Sequence, residues 1–347
     1  MREEMQNSKK IGLWFKNQTL NLLFVVGVIM LILVFGFWWL FNKNHAVIFL
    51  SPLVTTREVS KEKLLEKYTY ENLKKRGGRP SEVKLERILK EETEFTAWLF
   101  SYQSEGRKIT GLAHLPKTEG KSPVVVMVRG YVEPAEYKTG IGTRPAGEYY
   151  AKRGYLTLAP DFLGYGESDM PPTSNIWEER FLRLPAVMDL LASIPNLPVA
   201  DPARVFLWGH SNGAMIVLSV LELTGKAYPA TLWAPMSQYF PYDVLYYTYE
   251  AEDGGKSLRK ALAEFEKDYD TDAYNYKNYL EWLDTHLQIH QGTADPYIPL
   301  NWTETLVNQL KAQGVKVNYY LYPAANHNLQ PGWETVVARD LNFFKQF

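Results

Sequence analysis

The stretch RVFLWGHSNGAMIVLSVL, Arg204 to Leu221, decides the reading of this chain. An apolar, aromatic-rich run (Arg204 to Trp208) meets a second apolar run of helical character (Ala214 to Leu223), with only Gly209-His210-Ser211-Asn212-Gly213 between them. A G-x-S-x-G string alone is a weak signal, since small residues mark many ordinary turns. A buried strand before it and a helix after it change its weight. In so tight a strand-to-helix turn, Cβ atoms two residues either side of the serine would collide. Glycine at both places lets the Ser211 hydroxyl project above a sheet, over a helix N-terminus of partial positive charge. The competing reading is a glycine-lined helix start with a capping serine.

Other runs of the same kind extend in both directions. Phe95 to Gln103 and Lys108 to Leu115 read as an antiparallel hairpin. Pro123 to Arg129, Tyr155 to Ala159, Pro229 to Trp233, His286 to His290 and Val315 to Tyr322 read as short buried strands. Helix-like segments at Trp177 to Ile194, Trp302 to Gln313 and Trp333 to Phe344 lie among them. Continuous apolar strands alternating with helices predict an α/β fold, a mostly parallel sheet covered on both faces and entered through an antiparallel edge.

A serine hydroxyl needs a base to take its proton, and the base needs a third group to orient it. At this kind of elbow the chain order is Ser, acid, His. After Ser211 the histidines are His286, His290 and His327. The first two fall within a predicted central strand, where a structural role is expected, whereas His327 lies in the loop Ala324 to Asn328 between the last strand and the last helix. Asp295, in the segment His290 to Pro299 after a predicted strand, is the expected acid. Its rival Asp284 precedes that strand and belongs at the opposite end of the sheet. Ser211, Asp295 and His327 all follow the carboxyl ends of parallel strands, where open α/β sheets place their sites. The oxyanion of acyl transfer needs donors, expected from the main-chain N–H groups of Asn212 and Tyr131. Arg129 either orients a substrate carboxylate or pairs with an acid at the core edge.

With these residues the sequence resembles the α/β-hydrolases, and within them the catalytic domains of the prolyl oligopeptidase (S9) group and dienelactone-hydrolase-like enzymes. The stretches that carry the likeness are Arg129-Gly130-Tyr131, Asp161 to Ser168, Gly209 to Gly213, His290 to Pro299 and Tyr322 to His327. The resemblance implies an α/β-hydrolase fold with an eight-stranded, mostly parallel sheet over 95–347 and a Ser211, Asp295, His327 triad. Two departures stand out. Oligopeptidases commonly carry His-Gly-Gly where Arg129-Gly130-Tyr131 stands, and an N-terminal β-propeller that a stalk of roughly 50 residues cannot form.

The remaining chain is read from composition. Residues 20–41 (LNLLFVVGVIMLILVFGFWWLF) carry no charge, and at 1.5 Å per residue such a helix covers a hydrocarbon layer of roughly 30 Å. A cleavable signal peptide competes with an uncleaved anchor, but its apolar region is usually shorter and no small-x-small cleavage site follows. Arg2, Lys9, Lys10 and Lys16 precede the span and Lys43 follows it, so a cytoplasmic tail (1–19) and an extracytoplasmic remainder are expected. The charged segment 42–94 reads as a stalk made of a solvated helix. A tyrosine-rich insert at about 236–284 reads as a cap near the site, with one or two tyrosines lining a pocket.

Lys plus Arg number 38 against 39 Asp plus Glu, which leaves no basic footprint for nucleic acid. With no cysteine, thiolate catalysis, disulfides and zinc-thiolate sites are excluded. No metal or organic cofactor is expected. These readings converge on a membrane-anchored serine hydrolase of esterase or peptidase type, acting on a small ester or short peptide. The alternative of a different class is a catalytically silent binding module, against which an intact set of three reactive groups argues.

Overall fold

The computed structural model describes residues 63–248 and 251–347. The expected tail (1–19), membrane span (20–41), first part of the stalk and Tyr249 lie outside the described residues. Among those described, no helix is long and apolar enough to cross a membrane.

Nine strands form one sheet: β1 (Lys84–Glu91), β2 (Phe95–Ser104), β3 (Arg107–Pro116), β4 (Ser122–Val128), β5 (Leu156–Pro160), β6 (Ala200–His210), β7 (Ala230–Trp233), β8 (His286–Gly292) and β9 (Lys316–Tyr322). Their order is β1-β2-β3-β5-β4-β6-β7-β8-β9. The edge β1-β2-β3-β5 is antiparallel, and from β5 to β9 every neighbouring pair is parallel. The helices are α1 (Tyr70–Arg76), α2 (Arg144–Ala151), α3 (Ile176–Phe181), α4 (Arg183–Ser193), α5 (Asn212–Thr224), α6 (Tyr242–Leu245), α7 (Lys256–Phe265), α8 (Leu300–Ala312) and α9 (Trp333–Phe344).

Side chains alternate across a strand, so the continuous apolar runs of β4 and β6 feed two cores. Val124, Val126, Val128, Val205 and Leu207 pack under α1, α3, α4 and α5. Val125, Met127, Phe206 and Trp208 pack on the other face, under α2 and α9.

Two expectations are corrected here. The sheet has nine strands rather than eight, and residues 63–94 are no solvated stalk. Leu65, Tyr68, Tyr70 and Leu73 are buried in the first core. Arg76 donates to both oxygens of Asp189, at 2.9 and 2.7 Å, and β1 pairs with β2. The hydrophobic pattern missed β1 because an edge strand needs no apolar face. Lys84–Glu91 is largely exposed on both sides, and its charges pair outward, Arg87 with Glu167 and Lys90 with Glu148.

Between β7 and β8 the insert comprises α6, α7 and tight turns at Thr271–Tyr274 and Tyr276–Trp282. Tyr274 and Tyr276 are buried in the first core, while Tyr242 and Tyr246 are exposed.

On α5, Glu222 is fully buried and neither carboxylate oxygen has a hydrogen-bond partner. Burial pushes its carboxyl well above the ordinary range, and nearby Glu281 adds to this against Lys74. The fold therefore favours the neutral carboxyl more than the unfolded chain does. A raised folded pKa gives stability that is complete below the unfolded value and is lost as pH rises toward the folded one. Glu222→Leu is expected to raise the unfolding free energy at pH 7–8 by about 1–3 kcal/mol. Urea titrations should show that gain shrinking toward pH 4. A gain that does not change between pH 4 and 8 would contradict the assignment.

Candidate active site

One residue, Ser211, separates the end of β6 from the start of α5. Its φ of 55° and ψ of -122° lie where a side chain is strained, at a cost of order 1–3 kcal/mol. The elbow is held by main-chain bonds: the Ser211 N–H donates to the Trp233 carbonyl (2.9 Å), and the Ser211 carbonyl accepts from Ala214 (3.0 Å) and Met236 (3.1 Å). The glycines are required by contact. A Cβ on Gly213 would stand 2.0 Å from the Val128 carbonyl oxygen, and one on Gly209 would stand 2.6 Å from the Ala214 Cα. Both obstacles are main chain and cannot swing aside.

The carboxyl ends of β8 and β9 deliver the other two groups. Asp295 lies in the loop after β8, its side chain 1% exposed. Its Oδ1 accepts from the N–H groups of Tyr297 (2.8 Å) and Ile298 (3.0 Å). Its Oδ2 accepts from Gln291 Nε2 (3.1 Å) and lies 2.8 Å from His327 Nδ1. Burial pushes the Asp295 carboxyl up, but the hydrogen bond and charge of His327 and the two N–H groups outweigh it and hold the carboxyl below its usual range. An ionised Asp295 can only accept, so His327 Nδ1 carries a proton, and in the neutral ring this leaves the lone pair on Nε2.

The loop bearing His327 is braced on the elbow. His210 Nε2 donates to the His327 carbonyl at 2.9 Å, and the two rings lie 4.7 Å apart. Burial, reinforced by the charge of His327, pushes His210 down to about 4, so it serves as a neutral donor. A Cβ on Gly292 would meet the Ala325 carbonyl oxygen at 2.2 Å, which shows how closely the β8 end approaches this loop.

The loop after β4 covers the serine. A Cβ on Gly130 would lie 3.1 Å from the Ser211 Cβ, so Gly130 is the residue that lets the main chain come so near. Asn212 opens α5, and its N–H is one of the first-turn donors that find no acceptor within a helix. Among the described residues no hydrogen bond engages the N–H of Tyr131. Its ring is 63% exposed and its hydroxyl donates to Glu133.

Arg129 is structural, though its partners are not carboxylates. The guanidinium donates to the carbonyls of Gly130 (2.9 Å) and Asp161 (3.2 Å) and stacks on Tyr137 and Tyr165. Asp284 is exposed ahead of β8, at the far end from Asp295. His290 is buried against Asp340, and His286 packs on Phe347, so neither joins the site. Sequence reasoning passed over His210 and Gln291, although both stand inside the motifs it quoted. A variable position in a motif carries no chemical signal until its partner in space is known. Among the described residues no group of three or more His, Asp or Glu side chains could hold a metal.

The family model described as the prolyl oligopeptidase family matches residues 148–347. Over 142 residues the chain is 30% identical to a protein named as a dipeptidyl aminopeptidase in Schizosaccharomyces pombe, covering 40% of this chain and 16% of that one. Over 99 residues it is 34% identical to epoxide hydrolase 3 of Siraitia grosvenorii, covering 28% of this chain and 27% of the other. The chain thus spans well under two thirds of either relative. Among solved structures, acetyl xylan esterase 1 from Thermoanaerobacterium sp. JW/SL YS485 matches with a TM-score of 0.59 at 17% identity, over 81% of this chain and 93% of its own. A puromycin-hydrolyzing peptidase of Mycobacterium tuberculosis matches with a TM-score of 0.56 at 18% identity, over 74% and 40%. At such identities the likeness is one of fold.

Proposed function

Because the chain belongs to the prolyl oligopeptidase family, we propose that it is a serine hydrolase in which Ser211, His327 and Asp295 act together on small esters and short peptides. The observation that carries this reading is the 2.8 Å contact between His327 Nδ1 and Asp295 Oδ2, on a loop braced against the elbow that presents Ser211. Ser211 Oγ attacks the carbonyl carbon as its proton passes to His327 Nε2. The carbonyl π electrons move onto oxygen, which the N–H groups of Asn212 and Tyr131 receive. The C–O or C–N bond then breaks, His327 protonates the departing atom, and an acyl-enzyme remains. Water, giving its proton to His327, attacks that ester and regenerates the serine. Asp295 fixes the ring and offsets its transient positive charge.

Esters are the expected better substrates, since an alkoxide leaves with less need of protonation than an amine. Purified protein should hydrolyse p-nitrophenyl acetate and butyrate faster than palmitate, and aminoacyl anilides more slowly. A fluorophosphonate probe should label Ser211. Labelling of no serine in the folded protein would favour the silent binding module.

The length of the uncharged run 20–41 and the lack of a small-x-small site after it support an uncleaved anchor, and the charge asymmetry about it supports a catalytic domain outside the cytoplasm. Protease added to intact cells or spheroplasts should then digest the domain and spare an epitope placed ahead of Met1. Digestion only after lysis would reverse the orientation.

A further inference from the structure

Beside Asn212, the residue after Ser211, a narrow cavity of about 40 Å³ opens between α5, the α3–α4 junction and the insert. Its wall includes Arg180, Arg183, Met215, Phe240 and Tyr276, and it contains two arginines and no carboxylate. The polar groups of this wall are mostly spent. Arg180 is paired with buried Asp243. Tyr70 donates to Ser219, Tyr274 to the Leu65 carbonyl and Tyr276 to the Ser237 carbonyl. The side chains of Arg183 and Asn212 have no hydrogen bond or ion pair with any group among the described residues.

Arg183 is part-buried at the wall of this cavity and has no counter-charge there, so the desolvation of its guanidinium is not repaid by a partner. Burial accordingly pushes Arg183 down to about 10; Arg180 and Arg129 press it the same way, against Tyr165 and Tyr131. The other cation of the wall, Arg180, is neutralised by Asp243, so Arg183 carries the unpaired positive charge at this cavity. A cavity this small admits a group of a few atoms. A planar guanidinium matches a carboxylate through two parallel N–H···O bonds, while a phosphate dianion would need a second free cation that Arg180, held by Asp243, does not supply.

We propose that Arg183, assisted by the Asn212 amide, is a specificity-determining residue that receives a carboxylate of the substrate, so that half-esters of short dicarboxylic acids or esters of short hydroxy acids are preferred. This rests on the serine hydrolase reading and deepens it. A carboxylate on the acyl half and one on the leaving half present the same chemistry, and the two arms of the experiment separate them. Acid release at constant pH gives kcat/KM for monoethyl succinate against ethyl butyrate, and for O-acetylglycolate against ethyl acetate.

One anionic ester should be favoured over its neutral counterpart, and Arg183→Met should cut that ratio about tenfold or more, the scale of a hydrogen bond to a charged group. Arg183→Lys should restore part of it. Succinate binding by calorimetry, which needs no turnover, should be present in the unmodified protein and absent in Arg183→Met protein whose circular dichroism is unchanged. Equal losses on charged and neutral esters, or succinate binding that survives Arg183→Met, would overturn the proposal. If no ester is cleaved and no serine is labelled while succinate binding still depends on Arg183, the anion site stands and the hydrolase reading falls.

Discussion

Replacing Ser211 by alanine is expected to lower kcat on any cleaved ester by about 10⁴–10⁶-fold and to abolish fluorophosphonate labelling. The substitution removes one oxygen from a residue whose main chain, not its side chain, is tied down by Trp233, Ala214 and Met236. The fold should therefore persist, as circular dichroism would show. His327→Ala should cost nearly as much, and the double variant little more than either alone, because a nucleophile and its base act as one unit. Asp295→Asn should fall between, since an amide can donate to Nδ1 and hold the wrong tautomer. Because the Asp295 carboxyl is held below its usual range by His327 and two N–H groups, the stability it gives is present above the unfolded carboxylate pKa and lost as pH falls through the folded one. Residual activity in folded Ser211→Ala protein, with a different serine labelled, would remove Ser211 from the mechanism.

The largest loss of stability is expected from Asp340→Ala. Asp340 projects from α9 into the second core, 0% exposed, and one carboxylate there accepts five hydrogen bonds. Thr231 Oγ1 (2.5 Å), Gln288 Nε2 (2.9 Å) and His290 Nε2 (3.0 Å) meet Oδ1, while Tyr150 (2.7 Å) and Trp233 Nε1 (2.9 Å) meet Oδ2. The carboxylate thus ties α9 to β7, β8 and α2. Those strands end at the elbow bond from Trp233 and in the loop bearing Asp295, so the cluster lies beneath the site. Truncation would leave five buried donors without an acceptor, an expected cost of about 3–5 kcal/mol, comparable to breaking a buried ion pair. Guanidinium unfolding measures it directly. A loss below about 1 kcal/mol would mean that water enters and satisfies the donors.

The sequence by itself determined the features whose causes are local. The elbow could be read because Gly209, Ser211 and Gly213 meet a steric demand within five residues. The strands β2 to β8 could be read because burial leaves β-branched and aromatic runs, and the half-exposed edge strand β9 because its own run, Val315 to Tyr322, is rich in the same residues. Asp295 and His327 emerged because loops after such strands gather at one end of a parallel sheet. Tertiary structure decided what depends on residues far apart in the chain. The charged segment with Tyr68, Tyr70 and Leu73 becomes core only where α3, α4 and α5 receive it. Edge strand β1 owes its place to main-chain pairing, which leaves no mark in hydropathy. Whether a buried charge is structural or available is likewise a matter of partners. Asp340 is satisfied by donors 50 to 190 residues away, Arg180 by Asp243 across 63, and Arg183 by nothing among the described residues. Desolvation makes a buried charge costly alone, and only the assembled fold settles which of these groups has a partner.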